Sequence, residues 1–259
     1  MINSLWIAKT GMSAQQTQLD VISHNLANVS TTGYKRNNAV FEDLIYQNLR
    51  QVGANSSEQS QLPTGLHLGL GVNVVATNRD FRQGALQQSG KDFDLAINGA
   101  GFFQVSMPDG TTAYTRDGSF TIDKDGQMVN SSGYPLTDGI TKVAGAVKAS
   151  IAANGEVTFT DSAGKAVGTG RLTLASFINP AGLEPVGQNL YKESIASGNP
   201  QTGSPTSAGF GELKQGFLET SNVNVVEELV TMIQTQRAYE MNSKAIQTSD
   251  QMLAKLAQL

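Results

Sequence analysis

Residues 5–33 read LWIAKTGMSAQQTQLDVISHNLANVSTTG. Alternate steps of three and four through this stretch land on Leu5, Ala8, Met12, Gln15, Leu19, Ile22, Leu26 and Val29, apolar at every step except Gln15. The residues between, such as Lys9, Ser13, Gln16 and Asp20, are mostly polar. Apolar side chains at 3-4 spacing share one face of a helix, so the stretch predicts an amphipathic helix with a coiled-coil seam. The pattern stops at Ser30-Thr31-Thr32-Gly33, where Gly33 suits a left-handed residue closing the helix.

The same spacing returns at the other end of the chain. Val225, Leu229, Met232, Gln236, Tyr239, Ser243, Ile246, Asp250 and Leu253 follow it, and Val226, Ile233 and Leu256 widen the stripe. Asn222 or Asn224 suits the N-cap, and Glu227 and Glu228 complement the positive end of the helix dipole. Each buried Leu, Ile, Val or Met contributes roughly 1.5–3 kcal/mol, so one seam supplies ~15 kcal/mol gross. Ordering about thirty residues costs ~1–2 kcal/mol each. Neither helix is therefore expected to stand alone in dilute monomer, and both should complete their folding against neighbouring copies. The seam and assembly residues are thus Leu5, Ala8, Met12, Leu19, Ile22, Leu26, Val29, Val225, Leu229, Met232, Ile233, Tyr239, Ile246 and Leu253.

Between the two ends lies a different kind of sequence. Of the 27 glycines all but Gly11 fall between Gly33 and Gly216, and all 7 prolines fall between Pro63 and Pro205. Short alternating runs (Asp94–Ile97, Phe102–Val105, Ser119–Ile122) are punctuated by Asp109-Gly110, Asp117-Gly118 and Asp125-Gly126, a pattern that predicts β-hairpins. Further strands are expected at Val157–Thr160 and Arg171–Phe177. The Gln-, Ser-, Asn- and Gly-rich stretch Gln47–Gly71 reads as an extended or loop segment. The predicted class is α+β: a discontinuous N- and C-terminal α-helical coiled-coil domain, an extended connecting region and a central, mainly antiparallel β domain.

Composition narrows the function. Charged residues are only 15% of the chain, and Ser, Thr, Asn and Gln fill about a third of it. A weakly charged, amide-rich surface suits repeated contact with identical copies. A net charge of −4 with no Lys/Arg cluster argues against nucleic acid. Cysteine is absent, and the two histidines, His24 and His67, lack partners at metal-ligand spacing. Phosphate-loop, dinucleotide and calcium-loop candidates fail: Gly84 to Gly90-Lys91 is one residue too long with Asp92 where Ser or Thr is required, Gly99-Ala100-Gly101 lacks a third glycine, and Ser132 stands where a calcium loop needs Glu. No catalytic, cofactor-binding or metal residues are predicted, and no cofactor. The opening Met1-Ile2-Asn3-Ser4-Leu5-Trp6 does not resemble a Sec-type signal, and no run approaches the ~20 apolar residues of a membrane span. A structural assembly subunit is the expected class.

Three stretches carry a family resemblance. His24-Asn25-Leu26-Ala27-Asn28-Val29-Ser30-Thr31-Thr32-Gly33-Tyr34-Lys35-Arg36 closely resembles the signature of bacterial flagellar rod and hook axial proteins. Asp94–Val105 with Tyr114-Thr115-Arg116-Asp117-Gly118-Ser119-Phe120 resembles the central β motif of that family, and Glu219–Glu240 resembles its closing helix. The three fall in order at start, middle and end, so the resemblance spans the chain. The opening residues and the segment 46–59 are similar to the distal-rod branch, with the proximal rod or the hook as the alternative.

That resemblance implies a radial architecture: residues 1–32 plus 222–259 forming an inner α-helical tube, 33–91 plus 209–221 a connecting region, and 92–208 an outer β domain. It marks Asn25, Leu26, Ala27, Asn28, Thr32, Gly33, Tyr34 and Lys35 as family-motif positions. Within the rod-specific extended segment 46–63 it marks Tyr46, Gln47, Arg50, Ser56, Ser57, Glu58, Gln59 and Pro63. It further implies a helical homopolymer transmitting torque, with proximal rod and hook or hook-adjacent axial proteins at its ends. Peptidoglycan and the outer-membrane bushing rings would surround it. Export would run through the flagellar type III apparatus to a periplasm-spanning rod, with neither nucleic acid nor membrane insertion involved.

Overall fold

The computed structural model describes the chain apart from residues 1, 52–54, 58–59, 62–63, 139, 142–145, 147, 164 and 257–259. The breaker-poor ends are long helices, α1 (Ile2–Ala27) and α2 (Val225–Leu256). Asn224 caps α2: its Oδ1 accepts from the Val226 N–H at 3.1 Å and its carbonyl from the Glu228 N–H at 3.0 Å. Gly11, the one breaker inside α1, stands against α2, where a Cβ would come 3.0 Å from Nδ2 of Asn242. A glycine inside a helix costs about 1 kcal/mol relative to alanine; here its lack of a side chain permits the close approach.

Six strands follow α1: β1 (Asn37–Asp43), β2 (Tyr46–Arg50), β3 (Asn55–Ser57), β4 (Ser60–Gln61), β5 (Leu66–Gly69) and β6 (Val72–Arg79). The stretch Gln47–Gly71, read from sequence as extended or loop, is therefore partly paired. Its β2 runs antiparallel to β5 with Tyr46 opposite Gly69, and β3 pairs with β4. Such a ribbon is hard to see in sequence, because β2 (Tyr46-Gln47-Asn48-Leu49-Arg50) does not alternate and β5 alternates over only four residues. With the two helices, the residues up to Asn78 form one structural unit, comprising Met1–Leu26, Asn37–Asn78 and Asn224–Leu259.

The second unit, Ala27–Arg36 with Arg79–Val223, is the β body. Its strands are β7 (Leu86–Gln88), β8 (Leu95–Asn98), β9 (Phe103–Ser106), β10 (Thr112–Thr115), β11 (Thr121–Ile122), β12 (Met128–Val129), β13 (Lys148–Ile151), β14 (Glu156–Thr160), β15 (Ala166–Arg171), β16 (Leu174–Ser176), β17 (Glu184–Gly187), β18 (Leu190–Lys192), β19 (Gln201–Gly203), β20 (Glu212–Gln215) and β21 (Phe217–Glu219). Pairing is antiparallel in the four-stranded sheet β17-β18-β10-β9, the three-stranded β13-β14-β15, and the pairs β8–β20 and β7–β21. The body thus closes by bringing its last strands back against its first.

Three strands of the four-stranded sheet, β9, β10 and β18, bury side chains on both faces, whereas β17 at its edge is exposed. Phe103, Val105, Ala113 and Leu190 enter the larger core with Leu95, Ile97, Phe120 and Phe159. Phe102, Tyr114 and Tyr191 enter a second, aromatic core with Phe177 and Leu183, and Phe81 packs on it. Two local expectations are revised. Arg171–Phe177 is not one strand, because the chain leaves β15 at Arg171 and re-enters a different sheet as β16 at Leu174. Helix α1 ends at Ala27, six residues before Gly33, so Gly33 does not close it.

Candidate functional site

Gly33 is left-handed (φ +67°) for another reason. A Cβ there would lie 2.6 Å from the Asp117 nitrogen and 2.7 Å from the Arg116 carbonyl carbon. The turn Thr32-Gly33-Tyr34-Lys35 is pressed onto the central motif, and only glycine fits at the contact. Thr32 Oγ1 donates to Asp117 Oδ1 at 2.9 Å, and Asn189 Nδ2 donates to the Thr32 carbonyl at 3.0 Å. The Gly33 N–H donates to the Glu219 carbonyl at 2.8 Å, so the closing strand β21 joins the same contact.

Behind this turn the three sequence motifs meet in a buried charge cluster. Lys35 and Glu219 have side chains only 0% and 1% exposed, with Nζ 2.6 Å from Oε1. Arg116, 4% exposed, holds Nη1 3.5 Å from Glu219 Oε2. Lys35 Nζ also donates to the Arg82 carbonyl at 2.8 Å, the Gly84 N–H donates to Glu219 Oε1 at 2.9 Å, and Arg116 Nη2 donates to the Gly99 carbonyl at 2.7 Å. Arg116 lies over the Phe102 ring, 5.3 Å from its centroid. Burial pulls the Lys35 ammonium below its ordinary value, Glu219 opposes the pull and Arg116 adds to it. Burial likewise lowers Arg116, against the attraction of Glu219. One carboxylate thus answers two cations: Oε1 is held by donors from Lys35 and Gly84, and Oε2 faces Arg116 at 3.5 Å.

Nearby, Asn222 ties the chain leading to α2 onto the chain leaving the turn. Its Oδ1 accepts from the Arg36 N–H at 2.8 Å, and its Nδ2 donates to the Asp80 and Arg82 carbonyls at 2.8 and 3.1 Å. In the helical unit Asn25 makes the corresponding link, donating to the Asn37 carbonyl at 2.8 Å and accepting from its N–H at 2.9 Å. Of the remaining motif positions, Tyr34 is buried, Leu26 and Asn28 half-buried and Ala27 exposed. Asn28 accepts from Thr31 at both its carbonyl and its Oδ1.

The sequence seams divide by burial. On α1, Ala8 and Ile22 are buried and Leu5, Met12, Leu19 and Leu26 half-buried; Val29, also half-buried, lies in the turn after the helix. On α2, Met232, Ile246 and Leu253 are half-buried, whereas Val225, Leu229, Ile233 and Tyr239 are exposed. Among the described side chains of α2, the buried ones are polar, Glu228 and Thr235. Val226, Val230 and Met241 extend the exposed apolar stripe, with Val226 69% and Ile233 51% accessible.

In the extended segment Tyr46 is exposed and donates to Asp43 Oδ2 at 2.7 Å, while Gln47 accepts from Asn3 Nδ2 at 3.2 Å. Arg50 pairs with Leu66, Ser56 lies in β3 and Ser57 pairs with Ser60. Glu58, Gln59 and Pro63 lie outside the described residues. Ile45, Leu49, Leu66 and Leu68 are exposed along this ribbon, Ile45 at 80%.

Among the described residues no group of three or more His, Cys, Asp or Glu side chains could hold a metal ion, and no helix is long and apolar enough to cross a membrane. Sequence reading missed Arg116 and Glu219 as a pair with Lys35. The motifs containing them were visible, but Glu219 lies 184 positions from Lys35, and no local periodicity links residues so far apart.

Two terminal helices joined through a β body, with buried charges spent on bracing the chain and apolar faces left outside, define a structural axial subunit. Family models agree along the length of the chain. The flagella basal body rod protein model matches residues 5–35, the flagellar hook protein FlgE/F/G D1 domain residues 96–159, and the flagellar basal body rod FlgEFG protein C-terminal region residues 214–259. Curated relatives extend the match to full length. The flagellar basal-body rod protein FlgG of Buchnera aphidicola subsp. Schizaphis graminum is 55% identical, with 100% of both chains covered. That of Borreliella burgdorferi is 46% identical over 98% of this chain and 97% of its own, and that of Bacillus subtilis 37% identical over 100% and 99%. The chain belongs to the FlgG family of flagellar basal-body rod proteins, and as such is a structural subunit of the rod and not an enzyme.

Proposed function

We propose that this subunit polymerises helically into the distal rod, a rigid hollow drive shaft that carries torque from motor to hook. Residues 1–32 plus 222–259 form the inner tube as a coiled-coil domain, 33–91 plus 209–221 the connecting region, and 92–208 the outer β domain. Heterologous contacts that do not close a ring generate such an open helix. The observation that carries the reading is the exposed stripe Val225, Val226, Leu229, Val230 and Ile233 on α2, a face the protomer leaves uncovered. Covering it takes the helices of neighbouring copies, the same burial their folding energetics require. Proximal rod and hook or hook-adjacent proteins adjoin the ends, the bushing rings surround the shaft, and subunits arrive through the type III export apparatus.

The segment 46–63 makes this shaft stiff. Its first strand, β2, pairs with β5 beyond the segment; Leu49, Leu66 and Leu68 are exposed on that ribbon and Ile45 just before it, and a two-stranded ribbon is marginal in water without a partner surface. Neighbouring subunits supply that surface. The polymer contact is tested with Leu229→Asp and Ile233→Asp, assayed by light scattering and electron microscopy, with near-UV circular dichroism as the check on the β body. Both variants are expected to keep the β body and lose polymerisation; wild-type polymer from either overturns the assignment of this face.

A further inference from the structure

Residues 212–222 hold together parts of the β body that are otherwise separate. Among the described residues β20 is the strand that pairs with β8, and β21 the strand that pairs with β7. Leu213 enters the larger core, and its N–H donates to the Ala153 carbonyl at 3.1 Å. Gln215 covers the edge of β13 with its side chain: Nε2 donates to the Ala149 and Asp92 carbonyls at 2.8 and 2.7 Å, and Oε1 accepts from the Ile151 N–H at 3.0 Å. One amide thus joins the β13-β14-β15 sheet to the chain entering β8. Further along, the Thr220 N–H donates to the Ala85 carbonyl at 2.9 Å, and only glycine fits at position 84, where a Cβ would run into the Thr220 carbonyl.

Each of these partners precedes the segment in the chain, and two more that precede it are costly to bury without it. Lys35 and Arg116 are both buried, and Glu219 is the carboxylate with which both are paired. With the segment withdrawn, a folded body would hold two buried charges with no ion-pair partner among the described residues. That penalty takes a large share of the net stability of an ordinary domain. The buried Gly33 N–H would also lose the Glu219 carbonyl, and the Gly84 N–H would lose Glu219 Oε1. A backbone donor left unpaired in the interior adds a cost of its own.

We propose that residues 212–222 are a folding latch: the β body has no stable form until this segment docks, so a chain delivered from its N-terminus stays open until residue 222 has arrived. The same docking ties Gly33 and Arg36, on the turn after α1, to Glu219 and Asn222, on the approach to α2. The points from which the two helices leave are therefore fixed in one event with the body, and an unfinished chain offers no ordered helix roots for assembly. The latch acts whatever route delivers the chain and whatever the subunit assembles into, so it stands or falls separately from the export and polymer readings above.

The test is native-state hydrogen exchange on the full-length protein at low urea, read residue by residue by NMR under conditions where exchange reports the opening equilibrium. The latch amides are Leu213, Gly216 and Thr220, which donate to the Ala153, Asp94 and Ala85 carbonyls. The body amides are Phe102, Leu172 and Ala175, which donate to the Ala175, Gly155 and Phe102 carbonyls. If latch and body open only together, the protection factors of the two sets agree within about tenfold and fall with urea at one shared slope. The proposal is overturned if the latch set exchanges more than about tenfold faster than the body set, or with a shallower urea slope, while the body set stays protected. Either result would mean that the segment can come off a body that survives without it.

Discussion

Glu219→Gln isolates the contribution of the carboxylate in the Lys35–Arg116 cluster, because the amide keeps the shape and one acceptor oxygen but not the charge. At 2.6 Å from Lys35 and with an effective dielectric of about 20, the gross attraction being removed is on the order of 6 kcal/mol, with a second contribution of similar order from Arg116 at 3.5 Å. Desolvation of the pair offsets much of this in the wild type. Removing one partner, however, leaves two cations buried without a counter-charge, and breaking a buried ion pair in this way typically costs about 3–5 kcal/mol. Lys35→Met should cost less, since it leaves Arg116 and Glu219 balanced one to one. The variants also differ in pH response. With Glu219 gone, the main opposition to the burial that lowers the Lys35 pKa is lost, and only the weaker pull of Asp80 remains against it. Below that folded value both folded and unfolded chains hold the proton and the penalty is full. Between it and the ordinary lysine value only the unfolded chain holds the proton, so stability rises with pH. The assay is urea unfolding at pH 7 and pH 9. It should be followed on tyrosine signals of the β body, because the only tryptophan, Trp6, lies in α1. The reasoning fails if Glu219→Gln lies within about 0.5 kcal/mol of the wild type, or if its deficit does not shrink at the higher pH.

Gly33→Ala combines a left-handed backbone with a Cβ driven against the main chain at Arg116 and Asp117, so a loss of at least about 2 kcal/mol is expected by the same urea assay, where an unchanged midpoint would refute the close-contact argument. At alkaline pH, burial with Glu193 alongside raises the Tyr114 hydroxyl to about 12 while the unfolded chain ionises near 10. That contribution is fully present below pH 10 and is lost, on the order of 2 kcal/mol, as pH rises from 10 to 12. Tyr114→Phe should flatten the stability profile across that window, and an equally steep decline in the variant would count against the assignment. Deleting residues 46–63 is expected to leave the β body folded and to give bent or flexible polymers by electron microscopy; rods as straight as the wild type would remove the bracing role proposed for this segment.

Much of the chain's organisation follows from sequence alone, because it rests on local rules. The 3-4 spacing from Leu5 onward and the absence of glycine and proline after Phe217 suffice for two terminal helices. The Asp-Gly turns suffice for a body of short antiparallel strands, and the cap of α2 is legible as Asn222 or Asn224, of which the structure uses Asn224. The three family motifs mark the chain as an axial protein for the same reason, since each is a contiguous run. What tertiary structure decided is where those runs meet. Gly33 looks like a helix cap in sequence, yet its left-handed backbone serves a contact with Arg116 and Asp117, more than eighty residues away. The Gln-rich segment looks unpaired, yet β2 finds β5, because backbone pairing needs no alternation of side chains. Lys35, Arg116 and Glu219 fall in three separate motifs, and nothing local in the sequence brings them together. Burying them is affordable only where the folded backbone supplies the Arg82 and Gly99 carbonyls and the Gly84 N–H, and that geometry exists only once the closing strand has returned to the first turn.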